Sequence, residues 1–271
     1  MTRLEVERTL KRIGLRPQPA AGQNFLLDEA VAQAMVVAAN VQPGDTVLEI
    51  GPGLGILTDA LLAAQAKVVA VELDQRLVRY LQKRLAGHPR LQIVLGDIFR
   101  INLHDYVTDG GYQLVANLPY SGTSLVFRNF LTLPPRPTAL TVMIQREVAK
   151  RVVAQAGDYS LLALLVQYYS QPSLLMTIPP QAFWPMPKVS SAIIHCAPVH
   201  HRDPRASQDL FHLARAGFSG RRKQLRNSLA ASLHRTPAEI DKGMATLGLD
   251  STARAQDLRL EDWLKLAKAI R

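Results

Sequence analysis

The sequence predicts an α/β chain built on a doubly wound parallel sheet, with a small all-helical domain at its C-terminal end. Three observations carry that expectation. Between residues 46 and 144, short apolar runs alternate with amphipathic stretches, the pattern of strands buried on both faces and separated by helices. Directly after the first run, three alternate glycines, Gly51, Gly53 and Gly55, mark a strand-to-helix turn. Beyond His200-His201-Arg202-Asp203-Pro204 the strand signals stop. The domains are therefore placed at 1–199 and 200–271.

In order, Leu4 to Ile13 forms an amphipathic helix that Pro17-Gln18-Pro19-Ala20-Ala21-Gly22 breaks. Gln23-Asn24-Phe25-Leu26-Leu27 leads into a helix over Glu29 to Asn40, with Asp28 as its N-cap. Strands follow at Thr46 to Ile50, Lys67 to Leu73 and Leu91 to Leu95, with helices at Leu57 to Ala64 and Gln75 to Leu85 between them. Gln113 to Ala116 and Leu140 to Ile144 continue the sheet, each after a helical segment. Leu174 to Ile178 and Ser191 to Ala197 are expected as an antiparallel pair at the sheet edge. Helices at Ser207 to Ala216, Gly220 to Leu233, Pro237 to Leu247 and Leu260 to Ile270 complete the chain.

With 271 residues, 48% of them hydrophobic, the chain can bury a sizeable core. A formal net charge of +10 points to a polyanionic partner. Residues 1–199 carry 18 Lys/Arg against 14 Asp/Glu, and residues 200–271 carry 14 against 8, so the C-terminal part is the denser basic body. The single cysteine, Cys196, sits in an apolar run and is expected as a small buried hydrophobe. It leaves no internal disulfide or zinc-site spacing, which favours a reducing, cytoplasmic setting. The N-terminus lacks the apolar core of a signal peptide, and no apolar run reaches the roughly 18 to 20 residues that span a bilayer. A soluble protein without metal or membrane contact, and a monomer, is expected.

In a doubly wound sheet, ligands bind at the carboxyl ends of the strands. Glu72 ends the second strand 21 residues after Gly51, the distance at which an acid meets a ribose hydroxyl pair. Asp97 follows the third strand, where a carboxylate can accept from an adenine amino group. Together they describe an adenosine-containing ligand. The dinucleotide fingerprint needs a further glycine at position 56 or 58, where Ile56 and Thr58 stand. The E-x-G-x-G-x-G form from Glu49 to Gly55 instead resembles motif I of class I methyltransferases, Rossmann-like doubly wound folds whose cofactor, S-adenosylmethionine, has no pyrophosphate to cradle.

Asn117-Leu118-Pro119-Tyr120 follows the fourth strand at the same rim. Alone, such a tetrad can be an ordinary strand-ending turn; after the glycine loop and two acids it resembles the signature of enzymes that methylate exocyclic amines of nucleobases. An adenine amino nitrogen is a poor nucleophile because its lone pair is delocalised into the ring. The Asn117 side-chain oxygen and the Leu118 carbonyl can accept its two N–H bonds and favour a tetrahedral nitrogen. Pro119 stiffens the loop, and Tyr120 offers a stacking face. Catalysis is then mainly alignment and desolvation, without a dedicated strong base.

Gln23 to Leu26, the motif I loop, the two acids, Asn117 to Tyr120 and Phe183-Trp184-Pro185-Met186-Pro187-Lys188-Val189-Ser190-Ser191 occur in the order seen in the ribosomal RNA adenine dimethyltransferases. The segment Phe218 to Leu229 resembles the bacterial small-subunit branch, which dimethylates two adjacent adenosines in the 3′-terminal hairpin of 16S rRNA within the immature 30S subunit. That resemblance implies a cofactor site of Gln23, Asn24, Leu26, Gly51, Gly53, Gly55, Glu72, Leu73, Asp97, Ile98 and Asn117. It implies catalytic roles for Asn117, Leu118, Pro119, Tyr120 and Phe183, with Phe183 stacking on the target adenine. Arg221, Arg222, Lys223 and Arg226, clustered on one expected helix, are the RNA-binding candidates. Ala20-Ala21 and Ser121-Gly122-Thr123-Ser124 depart from the usual pattern. A 23S rRNA methyltransferase of the macrolide-resistance type and a non-enzymatic RNA-binding assembly factor are the alternatives.

Overall fold

The structure, a computed structural model, describes residues 1–17, 23–120, 122–198, 204–220 and 223–270. Departures at 20–21 and 121, and the candidates Arg221 and Arg222, lie outside the described residues. Contacts divide the chain into two compact units, Met1–Ala149 with Pro172–Pro198, and Lys150–Gln171 with Val199–Arg271.

The first unit opens with α1 (Arg3–Arg12), whose Thr2 and Glu5 form a capping box. A two-residue strand, β1 (Phe25–Leu26), precedes α2 (Glu29–Ala38), which is capped by Asp28 as expected, its Oδ1 accepting from the Ala30 N–H at 2.9 Å. β2 (Thr46–Ile50), α3 (Ile56–Ala63), β3 (Lys67–Glu72), α4 (Gln75–Arg84) and β4 (Leu91–Leu95) then alternate. β5 (Gln113–Asn117), α5 (Thr123–Thr132), β6 (Ala139–Gln145) and α6 (Arg146–Val152) follow, and the chain then enters the second unit with α7 (Leu161–Tyr169). β7 (Ser170–Ile178), β8 (Phe183–Trp184) and β9 (Ser191–Pro198) are the last strands.

One seven-stranded sheet has the order β4-β3-β2-β5-β6-β9-β7. β4, β3, β2, β5 and β6 run parallel, and β9 joins β6 antiparallel. The expected edge strands are therefore present, with β9 inserted between β6 and β7. Val47, Val68, Ala70, Val115 and Met143 of the sheet pack with Met35, Val36, Leu57 and Leu61 of α2 and α3, which is why the middle positions of these strands are mostly apolar and most of their polar residues stand at strand ends. Cys196 is buried.

Some elements differ from the sequence reading. Before β5, a three-residue 3-10 turn, Leu103–Asp105, replaces a helix. The Asn102 and Asp105 side chains bond each other at 2.8 Å there, a local pairing that competes with a longer helix. The pair β1 and β8 forms a separate two-stranded ribbon that period-2 alternation cannot announce in two residues.

In the second unit, α8 (Pro204–Gly217), α9 (Leu225–Leu233), α10 (Pro237–Ala245) and α11 (Leu260–Ala269) share a core with residues of α7. Trp263 is fully buried in it, beside Leu210, Leu225, Ile240, Leu164 and Tyr168. The sequence boundary at 199/200 thus differs from the contact division by residues 150–171. The run from Leu161 to Tyr169 is apolar apart from Gln167 and the tyrosine hydroxyls and shows little polar-apolar alternation to mark a helix, although Ser160 caps it by accepting from the Ala163 N–H at 3.1 Å. α9 begins at Leu225 and not at Gly220, because the Leu225 N–H is taken by the Ala253 carbonyl at 2.8 Å.

Candidate active site

Parallel pairing brings the carboxyl ends of four strands to one rim: Ile50 pairs with Val71, Glu72 with Leu95, and Asn117 with Met143 of β6. The order of strands reverses between β2 and β5, the position where open α/β sheets hold ligands. A cavity of about 480 Å³ opens there. Gln23, Asn24, Leu26, Gly51, Gly53, Glu72, Leu73, Asp97, Ile98, Asn117, Leu118, Pro119, Tyr120 and Phe183 all line it.

On one side of the cavity stands Glu72, nearly buried at the end of β3. Its Oε2 accepts from the Gly53 N–H at 3.1 Å and its Oε1 from the Asp74 N–H at 3.0 Å, so the glycine loop itself orients the carboxyl. Burial raises its pKa and those backbone donors oppose the rise. Gly51 has φ of 65° with open space where a side chain would start, so the loop backbone is uncovered on that side. Leu73 is 71% exposed beside Glu72 and offers an apolar face. Asp97 Oδ1 accepts from the Phe99 N–H at 3.0 Å, and Arg100 Nε lies 3.5 Å from Oδ2.

Gly55 requires a correction: it is not among the residues that line the cavity. It is the left-handed N-cap of α3 with φ of 86°, and an added Cβ would collide with the Arg84 guanidinium and come within 2.7 Å of Leu81. Arg84 donates to the Gly55 carbonyl at 3.2 Å and to Asp59 at 2.7 Å. The third glycine therefore serves the packing of α3 against α4.

Sequence reasoning missed Glu49, Phe25 and Phe99, which also line the cavity. Glu49 is 1% exposed and accepts from the Thr58 hydroxyl at 2.7 Å. Burial, with Asp59 and Glu72 nearby, pushes its pKa up to about 8. Its place as the first residue of E-x-G-x-G-x-G was the available signal. Phe25 lies under the loop, 3.3 Å from where a Gly53 Cβ would stand.

The other side of the cavity is the tetrad. The Leu118 N–H donates to the Met143 carbonyl at 3.1 Å, and the Gly122 N–H to the Pro119 carbonyl at 3.1 Å, which turns the chain sharply after β5. The Tyr120 hydroxyl lies 3.1 Å from Ser191 Oγ. Phe183 is 3% exposed and pairs with Leu26 across the ribbon. Of the basic candidates, Lys223 is exposed ahead of α9, whereas Arg226 stands in its first turn and donates to Asp241 at 2.8 Å and Gln224 at 3.1 Å. Lys223 and Arg226 therefore do not share one helix.

A glycine loop and two acids at the rim of such a sheet, with the final inner strand reversed, define a class I S-adenosylmethionine-dependent methyltransferase. The family model for ribosomal RNA adenine dimethylase matches residues 15–271, and the chain belongs to that family. It is 41% identical over 255 residues to a ribosomal RNA small subunit methyltransferase A of Dehalococcoides mccartyi, covering 93% of this chain and 88% of the relative. A Desulfitobacterium hafniense protein of the same name is 38% identical over 266 residues, covering 97% and 95%. Among solved structures, the 23S rRNA methyltransferase ErmE superposes with a TM-score of 0.71 at 26% identity, over 91% of this chain and 99% of that one. A dimethyladenosine transferase of Plasmodium falciparum shares the fold at 0.74 and 24% identity, over 89% and 95%.

The family and fold imply S-adenosylmethionine as cofactor. The residues present fit it: a buried acid held by the loop for a diol, a second acid for an amino group, and a glycine backbone left uncovered. Among the described residues no cluster of His, Cys, Asp or Glu could hold a metal ion, and no helix is long and apolar enough to cross a membrane.

Proposed function

We propose that the protein methylates N6 of two adjacent adenosines in the 3′-terminal hairpin of 16S rRNA, giving N6-dimethyladenosines on the immature 30S subunit in the cytoplasm. The observation that carries this reading is that Asn117, Leu118, Tyr120 and Phe183 line the same cavity as Glu72, Asp97 and the glycine loop. Glu72 would take the ribose hydroxyls of the cofactor and Asp97 its adenine amino group, with Gln23, Asn24 and Leu26 closing over it. When bound, S-adenosylmethionine supplies an electrophilic methyl group. Asn117 and the Leu118 carbonyl would accept the two N–H bonds of the target amine and so draw its lone pair out of the ring. Tyr120 and Phe183 would hold a base flipped out of the RNA, with unstacking costing on the order of a few kcal/mol. Lys223 and its basic neighbours would add sequence-independent phosphate affinity. The protein would act as a monomer without a metal.

Labelled S-adenosylmethionine and undermethylated 30S particles test this. The wild-type protein should label the 3′-terminal hairpin, and Asn117→Ala should lower turnover about 10²- to 10³-fold, the scale of removing one preorganised polar group. The likeness to ErmE favours a second reading: label confined to 23S rRNA would support it. RNA binding without turnover would support an assembly factor.

A further inference from the structure

Stacking on a base needs only the face of an aromatic ring, so the hydroxyl of Tyr120 calls for its own account. That hydroxyl meets Ser191 Oγ at 3.1 Å. Ser191 is 1% exposed and is the first residue of β9, paired with Gln145 of β6. The adjoining Arg146 N–H donates to the Ser190 carbonyl at 3.0 Å, so the backbone beneath Ser191 is held by the sheet. The register explains its reach. Asn117 pairs with Met143, Met143 with Ile193, and Ser191 lies two residues beyond Ile193, on the same face of β9 and toward the rim.

Phe183 stands at the other end of the same segment, held by its pairing with Leu26. The loop from 185 to 190 therefore runs between one aromatic wall and the anchor of the other. The turn at Pro119 and Gly122 fixes the backbone near Tyr120 but leaves its side-chain torsions to other contacts. We propose that Ser191 is a positioning residue for the methyl acceptor: its hydrogen bond to Tyr120 sets the plane of that ring and its spacing from Phe183, and with them the alignment of the target base. This inference rests on the base-methylating reading above. Ser191 touches neither cofactor nor base in this role.

The test is steady-state methylation of undermethylated 30S particles by the full-length protein. Ser191→Ala and Tyr120→Phe should each lower kcat about five- to tenfold, the yield of one hydrogen bond near 1 kcal/mol. KM for the particle and the calorimetric Kd for S-adenosylmethionine should stay unchanged, which a general loosening of the fold would not allow. The double variant should be no slower than either single one, since both remove the same bond. Losses that multiply, or singles with wild-type kcat, overturn the proposal. If Ser191→Ala does not fold, Tyr120→Phe decides: a kcat loss at unchanged cofactor affinity supports the bond, and full activity sinks it. If the wild-type protein labels no 16S rRNA, the functional reading itself fails and takes this inference with it; active wild type with unaffected variants removes only the role of Ser191.

Discussion

Glu49 is a carboxylic acid that keeps its proton where carboxylates are normally ionised. Burial pushes its pKa from 4.5 up to about 8, Asp59 and Glu72 push the same way, and Thr58 with Arg84 opposes only in part. The folded chain therefore binds this proton more tightly than the unfolded one does. Its contribution to stability is fully present below pH 4.5 and is lost as pH rises through about 8. Glu49→Gln keeps an oxygen for Thr58 and cannot ionise. Its thermal midpoint should therefore gain on the wild type steadily between pH 4.5 and about 8 in matched buffers. Parallel curves would show that Glu49 ionises freely. The residue was visible in the sequence as the opening letter of the glycine motif. Its burial was not, because that depends on Thr58 of α3 folding back over the end of β2.

Among elements, β2, β3 and β4 were legible almost to the residue, since parallel strands leave short, mostly apolar runs between turn signals. The ribbon of β1 and β8 and the largely apolar α7 were not, for want of a clear period to detect. The glycine loop was legible as a strand-to-helix turn, but the division of labour among its glycines required the packing of α3 on Arg84 and Leu81. Gly55→Ala should cost about 1 to 3 kcal/mol, because a left-handed residue gains a side chain where none fits. Cofactor affinity should weaken with it, as the Arg84 bond to the loop is displaced. Thermal unfolding and calorimetric titration would check the two effects, and an unstrained variant with normal affinity would contradict the packing role.

Across the whole molecule, charge was readable as a total and not as a set of roles. Four basic residues near position 220 look alike in the sequence, yet Arg226 is engaged with Asp241, whose Oδ1 is buried without a partner. Arg226→Ala should therefore destabilise the helical unit by about 1 kcal/mol. Lys223→Ala should leave stability alone and reduce the log–log salt slope of RNA binding by about 0.7 to 0.9, one phosphate contact. Equal effects of the two variants on stability would contradict this separation. A boundary at 199/200 leaves residues 150–171 outside the helical part, whereas they join the helical core through contacts far apart in sequence.

The ribbon in which Phe25 faces Trp184 and Leu26 faces Phe183 has a bearing on redesign. Asn24, Leu26 and Phe183 line one cavity, in which the proposed function gives the first two to the methyl donor and the third to the acceptor, and two short strands with the Leu27 N–H to Ala182 carbonyl bond of 2.8 Å splice them together. On those proposed roles, an engineer who recuts one strand to admit a bulkier methyl donor would also shift the wall that holds the base. Donor and acceptor tolerance would then have to be rewritten as a pair.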